Sequence, residues 1–207
     1  MSKSQNEQNE VIKIILLGEV SVGKTCLINA YFGRKFKENI KATIVSESEG
    51  KFLEIKQKKY LIQIVDTAGQ ERYHSLNKLF IKGSKIVIFV YDVTNELPFK
   101  GLNFWIKTAK EILGKEAIYG IAGNKADLIY ETKISDGEGR KYAEENDALF
   151  CSTSAKEDSK GFQMFIDNMI EKYIENKNDN ASNETNGRKL SAINNKKGRN
   201  CCYNKEV

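Results

Sequence analysis

The chain has 207 residues, of which 40% are hydrophobic and 29% charged, a length and balance that suit one globular domain rather than two. No uninterrupted apolar run approaches the roughly 20 residues of a membrane-spanning helix, and the polar N-terminus lacks the pattern of a secretory signal. We therefore expect a cytosolic protein. Four cysteines, two of them adjacent (Cys201 and Cys202), do not form the pattern of a disulfide framework.

The net charge of +5 is concentrated near the C-terminus. Residues 176–207 hold seven cations, three anions and nine asparagines, but almost no large apolar residue. This composition predicts a disordered, basic tail, and we also expect residues 1–10 to be disordered. The folded domain then spans residues 11–175. Because this domain carries little of the net charge, the charge pattern argues against nucleic acid as a partner.

Short β-rich segments alternate with helical patterns along the domain, which predicts an α/β fold. The third helical pattern begins with a capping-box signature, because Glu138 stands three residues after Ser135. The last one repeats apolar residues at helical spacing, as expected for a face that packs on a core. The predicted strands are 11–17, 52–55, 61–65, 86–91, 117–122 and 148–151, and the predicted helices are 24–31, 99–113, 135–146 and 162–174.

A glycine-rich motif lies between the first strand and the first helix. It matches G-x-x-x-x-G-K-[ST], a loop whose backbone N–H groups surround phosphate oxygens at a helix N-terminus. We expect Lys24 to reach the β- and γ-phosphates and the hydroxyl of Thr25 to bind Mg²⁺. The candidate phosphate-binding residues are Gly18, Glu19, Val20, Ser21, Val22, Gly23, Lys24, Thr25 and the adjoining Cys26.

Two motifs that follow later strands indicate which base is bound. Asn124-Lys125-Ala126-Asp127 comes directly after strand 117–122, at the edge where open α/β sheets place ligands. The carboxylate of Asp127 can accept hydrogen bonds from the two donors of guanine, N1–H and the amine, whereas adenine presents the wrong pattern. This disfavours the alternative of a P-loop ATPase or kinase. Ser154-Ala155-Lys156, after the last strand, could add a backbone N–H.

The string Asp66-Thr67-Ala68-Gly69-Gln70-Glu71 comes directly after strand 61–65 and carries candidates for catalysis. Asp66 is an acidic residue near the phosphate loop and suits Mg²⁺. The N–H of Gly69 could contact a γ-phosphate, and the side chain of Gln70 could orient an attacking water.

These motifs, in this order and spacing, resemble those of the Ras-like small GTPases. Within that group, residues 70–76 (Q-E-R-Y-H-S-L), 80–83 (F-I-K-G) and 90–94 (V-Y-D-V-T) are similar to the Rab family, closest to its endocytic, early-endosome subgroup. The resemblance covers about residues 11–175. It implies a single, monomeric P-loop domain with a mixed six-stranded sheet flanked by five helices.

The resemblance also implies a function. It predicts a switch that binds GTP and GDP and regulates vesicle traffic, with slow hydrolysis of GTP by Lys24 and Gln70. In this family Mg²⁺ is held by the residues at Thr25, Thr43 and Asp66, and the aromatic at Phe36 packs against guanine. The partners would be an exchange factor, an activating protein and effectors. Prenylation of Cys201 and Cys202 would attach the protein to the cytosolic face of endosomal membranes, although five residues follow the pair and unmodified thiols are the alternative.

The chain departs from the family at several positions. Val45, Ser48 and Val65 replace a common glycine, an aromatic and a tryptophan, so that Phe80 alone remains of an aromatic triad on the effector surface. We therefore expect weak binding to standard endocytic Rab effectors. Val20 stands where glycine or a small residue is common, and its stiff, β-branched side chain leaves open an alternative function: a GTP-loaded docking module with little hydrolysis.

Overall fold

A six-stranded mixed sheet with the strand order β2-β3-β1-β4-β5-β6 forms the centre of the protein. The computed structural model describes residues 9–37, 43, 47–67 and 74–197. β2 and β3 pair antiparallel, and the other neighbouring strands pair parallel. The strands are β1 (Glu10–Leu17), β2 (Glu47–Ile55), β3 (Lys58–Asp66), β4 (Ile86–Asp92), β5 (Ile118–Asn124) and β6 (Leu149–Ser152).

Five α-helices among the described residues cover both faces of this sheet, which confirms the predicted fold class. The first and last helices bury Leu27 and Phe162 on one face, and the other three bury Ile81, Trp105 and Ala143 on the opposite face. The fully buried strands between them read as near-continuous apolar runs, as expected for a parallel sheet covered on both sides. The helices are α1 (Lys24–Tyr31), α2 (His74–Ile81), α3 (Glu96–Leu113), α4 (Asp136–Glu145) and α5 (Ser159–Lys197).

Most elements lie where the sequence predicts them, with shifted ends. α1 has the predicted bounds, and the capping box of Ser135 and Glu138 is formed at α4. β2 begins five residues before the predicted 52–55, because its polar first half pairs with β3 along the sheet edge. α3 begins at Glu96, since Asn95 accepts a hydrogen bond from Leu97 N–H and caps the helix. α2 corresponds to none of the helical patterns recognised in the sequence.

α5 is longer than the helix predicted over 162–174. Its apolar face packs on the sheet as far as Tyr173 and Ile174, and Lys177 forms an ion pair with Glu10. The helical backbone then continues to Lys197, through a segment whose composition predicts disorder. Extension of an existing helix adds one hydrogen bond per residue without a new nucleation step. Residues 1–8 and 198–207 lie outside the described residues.

Among the described residues, no helix combines the length and the apolar character needed to cross a membrane.

Candidate functional site

The predicted site residues that the structure describes converge at the carboxyl edge of the parallel strands. The glycine-rich loop follows β1, Asp66 is the last residue of β3, Asn124 is the last residue of β5, and Ser154 follows β6. This edge is where open α/β sheets bind ligands. The fold therefore unites motifs that are separated by more than a hundred residues.

Two glycines of the loop are required by their surroundings. A Cβ atom at Gly18, which has a φ of 147°, would lie 2.2 Å from the carbonyl oxygen of Val90. A Cβ at Gly23, with a φ of 95°, would lie 2.3 Å from the amide nitrogen of Asn124. Any larger residue would push the loop away from the sheet or from the base-binding segment.

Lys24 is a buried cation in the first turn of α1. Lys24 is only 5% exposed, and its ammonium group donates hydrogen bonds of 2.9 Å to the carbonyl oxygens of Gly18 and Glu19. Burial lowers the pKa of Lys24 to about 8, against the opposing effect of the carboxylates of Asp66 and Glu19. Within the described part of the chain, no side chain caps the N-terminus of α1. A positive group and free helix N–H donors together fit an anionic ligand such as phosphate.

The three predicted magnesium ligands meet at one point. Thr25 Oγ1 donates to Asp66 Oδ2 over 2.6 Å and lies 2.8 Å from Thr43 Oγ1, and Thr43 Oγ1 lies 3.4 Å from the same carboxylate oxygen. Asp66 is 8% exposed, and its other oxygen, Oδ1, has no hydrogen-bond partner among the residues that the structure describes. Burial raises the pKa of Asp66. A buried carboxylate with one unpartnered oxygen, beside two hydroxyls, fits a hard cation such as Mg²⁺.

Asn124 joins the phosphate side of the site to the base side. Its amide nitrogen donates to the carbonyl of Val22 over 2.8 Å, and its amide oxygen accepts from the N–H of Ala155 over 3.1 Å. The residue is 2% exposed, so both bonds are shielded from water. The glycine-rich loop and the segment after β6 are therefore held together by one side chain.

The base-reading candidate Asp127 is held in place by the segment after β6. Ser154 Oγ donates to Asp127 Oδ1 over 2.6 Å and itself accepts from the N–H groups of Lys156 and Glu157. Ala126 N–H donates to the carbonyl of Thr153 over 3.1 Å. The hydrogen bond from Ser154 engages one carboxylate oxygen of Asp127, and the second oxygen is the one that can accept from a ligand.

Other candidates lie at the rim or outside the described residues. Val20 and Phe36 are 41% and 39% exposed. Cys26 is half-buried in α1, and burial raises the pKa of its thiol. Gly69, Gln70, Cys201 and Cys202 lie outside the part of the chain that the structure describes, as does Val45.

The three positions of the aromatic triad lie close together in the fold. Ser48 is exposed and lies directly opposite Val65 across the β2–β3 ladder. Val65 is buried and Phe80 is half-buried in the same cluster. A cross-strand serine–valine pair thus occupies the place where the resemblance implies two aromatic rings.

Two residues of this region have contacts that the motifs alone did not reveal. Thr67 Oγ1 donates to the carbonyl of Leu16 over 2.7 Å and fixes the end of β3 to β1. Asp92, the last residue of β4, contacts Lys125. The sequence signal at Asp92 is its place in the Val-Tyr-Asp-Val-Thr string, which indicates the family but not this contact.

The fold and the geometry of this edge define a P-loop nucleotide-binding domain. A sequence model described as the Ras family matches residues 13–178. Ras-related protein Rab-21 from Geodia cydonium is 39% identical over 155 residues, which are 75% of this chain and 68% of that protein. Rab-21 from Homo sapiens is also 39% identical, over 75% of this chain and 69% of that protein. Ras-related protein RABF2a from Arabidopsis thaliana is 35% identical over 74% of this chain and 76% of that protein.

The chain therefore belongs to the Ras family of small GTPases and, within it, to the Rab proteins. The resemblance drawn from the sequence is confirmed. Proteins of this family bind GTP and GDP with Mg²⁺ and hydrolyse GTP.

Proposed function

We propose that this protein is a GTP/GDP switch that regulates endocytic vesicle traffic, with the predicted residues in their predicted roles. One observation carries the proposal: the Thr25–Thr43–Asp66 group, Lys24 and the Asn124–Asp127 segment lie in that order along one edge of the sheet. The phosphate-binding lysine thus lies between the candidate cation site and the candidate base site, as a Mg²⁺-bound nucleotide requires. Among the described residues, the ammonium of Lys24 donates hydrogen bonds only to carbonyl oxygens, and Asp66 Oδ1 has no hydrogen-bond partner. A Mg²⁺–nucleotide complex would bring a phosphate to the first group and a cation to the second.

In this proposal each residue of the site has a separate role in GTP hydrolysis. Lys24 holds the β- and γ-phosphates and stabilises negative charge that develops during the attack of water. Thr25, Thr43 and Asp66 would hold Mg²⁺, which when bound neutralises phosphate charge. Gln70 orients the attacking water, and the N–H of Gly69 contacts the γ-phosphate. Loss of that contact after hydrolysis releases the segments that carry Thr43 and Gly69, and this ends effector binding.

The most informative first test is direct. The full chain is purified, denatured, and the released nucleotide identified by chromatography; a second sample is loaded with GTP and its turnover followed. We expect guanine nucleotide and slow conversion of GTP to GDP in the presence of Mg²⁺. Release of an adenine nucleotide, or of none, would contradict the proposal.

Base recognition is assigned to Asp127. Replacement of Asp127 with Asn turns one of the two acceptor oxygens into a donor amine. The preference should therefore move from GTP towards xanthosine triphosphate, because its base presents an oxygen in place of the amine of guanine. Competition binding with both nucleotides measures this preference. An unchanged preference would remove Asp127 from base reading.

Membrane attachment is assigned to Cys201 and Cys202. Two lipid chains anchor a protein stably where one gives marginal binding, and each cation of the tail adds roughly 1 kcal/mol near an anionic surface. The proposed location is the cytosolic face of endosomal membranes. Mass spectrometry of protein from its native cell should find both cysteines prenylated in the membrane fraction, and unmodified cysteines there would exclude this anchor.

The proposed partners are an exchange factor, an activating protein and effectors of the Rab type. Because aromatic anchors usually concentrate interface energy, the Ser48–Val65 pair should weaken binding to standard endocytic effectors. Submicromolar, GTP-dependent binding to such an effector in a titration would contradict this expectation.

A second candidate function is a GTP-loaded docking module with little hydrolysis, and Val20 favours it. The branched side chain is 41% exposed within the glycine-rich loop, where it would restrict the space for Gln70 or an incoming arginine. Near the reacting phosphate a displacement of about 1 Å can slow a reaction on the order of 100-fold. Single-turnover hydrolysis by wild type, Val20→Gly and Val20→Ser tests this candidate function. We expect both variants to hydrolyse GTP faster than the wild type, and equal rates would show that Val20 does not slow hydrolysis.

A further inference from the structure

Asp92 occupies a special place at the end of β4. It is the last residue of its strand and lies in register with Asn124, the last residue of β5. The N–H of Val93 donates to the carbonyl of Asn124 over 3.0 Å. Asp92 therefore lies immediately beside the first residue of the base-binding segment, 124–127, although 32 residues separate the two along the chain.

The two carboxylate oxygens of Asp92 have different partners. Oδ1 accepts from the N–H and the hydroxyl of Thr94, over 2.9 and 2.7 Å, and so closes the turn that leads into α3. Oδ2 accepts from the ammonium of Lys125 over 2.5 Å. Asp92 is 8% exposed, so this ion pair is partly shielded from water. One carboxylate oxygen therefore stabilises the turn after β4, and the other binds the base-binding segment.

The partner Lys125 has an unusual backbone. Its φ is 67°, in the left-handed region that residues with a side chain rarely adopt. Such a conformation persists only where surrounding contacts hold it. Asn124, Ala126 and Asp127 are each fixed by hydrogen bonds to other segments, and at Lys125 the contact with Asp92 does the same. The turn at Lys125 sets the direction from Asn124 to Asp127.

We infer that Asp92 is a positioning residue for guanine recognition: through Lys125 it holds the backbone turn that aims Asp127 at the base. In this proposal Asp92 acts through Lys125 and is not itself a base-binding residue. The inference rests on the proposed guanine-binding role of residues 124–127. It predicts that loss of the Asp92 carboxylate weakens the contacts made with the base edge more than the contacts made with the phosphates.

The test compares two nucleotides. Inosine diphosphate (IDP) lacks the exocyclic amine of guanosine diphosphate (GDP), so the ratio of their dissociation rates measures how well Asp127 meets the base. For the full chain in Mg²⁺ buffer, Asp92→Asn should accelerate GDP dissociation about tenfold, the factor that corresponds to about 1.4 kcal/mol, and accelerate IDP dissociation clearly less. A merely destabilised fold would accelerate both alike.

Thr94→Val is the matched control. It removes one hydrogen bond from the turn and leaves the Asp92–Lys125 pair in place, so it should leave the GDP-to-IDP ratio unchanged. A Thr94→Val variant that reproduces the effect of Asp92→Asn would overturn the inference, as would an Asp92→Asn variant with an unchanged ratio. If the wild type binds no GDP, the proposed function fails instead, which separates the two outcomes.

A second approach starts from the other side of the pair. Lys125→Met should lower the GDP-to-IDP preference, and adding Asp92→Asn to it should cause little further change, since the partner is already gone. Full additivity of the two substitutions would contradict a shared role. If Asp92→Asn does not fold, Lys125→Met alone decides, because an unchanged preference in that variant shows that the pair positions nothing.

Discussion

The two ends of the nucleotide site are built differently. On the base side, the described polar groups of residues 124–127 and 153–157 are largely hydrogen-bonded to one another, as with Ser154 and Asp127. On the phosphate side, Lys24 is buried against two carbonyls, and Asp66 has a buried oxygen that no described residue hydrogen-bonds. The protein itself satisfies the polar groups at one end, whereas the other end contains buried charges whose burial is not offset by protein contacts.

This difference has an energetic meaning. A pre-organised base site loses little entropy on binding and can therefore discriminate between bases. For both Lys24 and Asp66, burial outweighs the attraction between their opposite charges. The two charged groups therefore destabilise the free protein, and a Mg²⁺–nucleotide complex relieves that penalty. We expect binding of phosphate and cation to stabilise the fold strongly, and binding of the base to provide specificity.

The largest effect is expected at Lys24. Lys24→Met removes the buried cation, so affinity for GDP should fall by about 100-fold or more, because a hydrogen-bonded charge is lost from the phosphates. The nucleotide-free protein should become more stable, by about 1 kcal/mol or more, since the burial penalty disappears. Calorimetric binding and urea unfolding of the nucleotide-free protein measure the two effects.

The control is Lys100→Met, which changes an exposed lysine paired with Glu96 on α3. It should leave both quantities nearly unchanged. If Lys24→Met destabilises the nucleotide-free protein, the phosphate side does not hold an unfavourable charge and the contrast between the two ends is wrong.

The next effect concerns the cation. Asp66→Asn keeps the shape of the side chain but removes its charge, so release of GDP should be about 10- to 100-fold faster and should no longer accelerate when EDTA removes Mg²⁺. Fluorescent GDP release with and without EDTA measures this, with Asp147→Asn at an exposed turn as the control. A variant that still responds to EDTA as the wild type does would place Mg²⁺ elsewhere.

A smaller, base-selective effect is expected at Ser154. Ser154→Ala removes the 2.6 Å hydrogen bond to Asp127 and should weaken GDP binding by about fivefold, the loss of about 1 kcal/mol that one hydrogen bond provides. Binding of inorganic pyrophosphate should not change. Ser84→Ala, which removes a buried hydroxyl bonded to the carbonyl of Phe80 far from the site, is the control. Equal losses for both ligands would show that the base side is not an independent, pre-organised unit.

The smallest effect is expected away from the site. Glu10 forms ion pairs with Lys58 of the β2–β3 hairpin and Lys177 of α5. Because these groups are partly exposed, Lys58→Met should lower the free energy of unfolding by less than about 1 kcal/mol. The loss should be smaller at high salt, where the ion pair is screened. GDP binding should not change. Urea titrations at two salt concentrations check this. A clear loss of GDP affinity would show that the hairpin is coupled to the site.

The sequence alone determined the features that depend on local pattern. α1 begins and ends as predicted, because a glycine turn, a lysine and a short apolar pattern define it locally. The capping box at Ser135 is formed for the same reason: its two partners are three residues apart. The alternation of strands and helices gave the α/β class, and motif spacing gave the family.

Other features were decided by the tertiary structure. β2 is longer than predicted because Glu47 to Gly50 carry no apolar alternation and become a strand only by pairing with β3. α2 is a single eight-residue helix, and its Ile81 is buried in the core cluster that includes residues of β4 and α3. This packing stabilises the helix, and it cannot be predicted from the local sequence. Short elements depend on their neighbours, since isolated helices of this length are marginal in water.

The site shows the same division. The identity of Lys24, Asp66 and Asp127 as candidates followed from motifs, whereas their mutual arrangement did not. The bond from Asn124 to Val22 joins residues 102 positions apart, and the pair of Asp92 and Lys125 spans 33. Sequence pattern specifies which chemical groups are available because it acts over a few residues. Which of them meet is decided by strand order, because it is the sheet that brings the ends of β1, β3, β4, β5 and β6 to one edge.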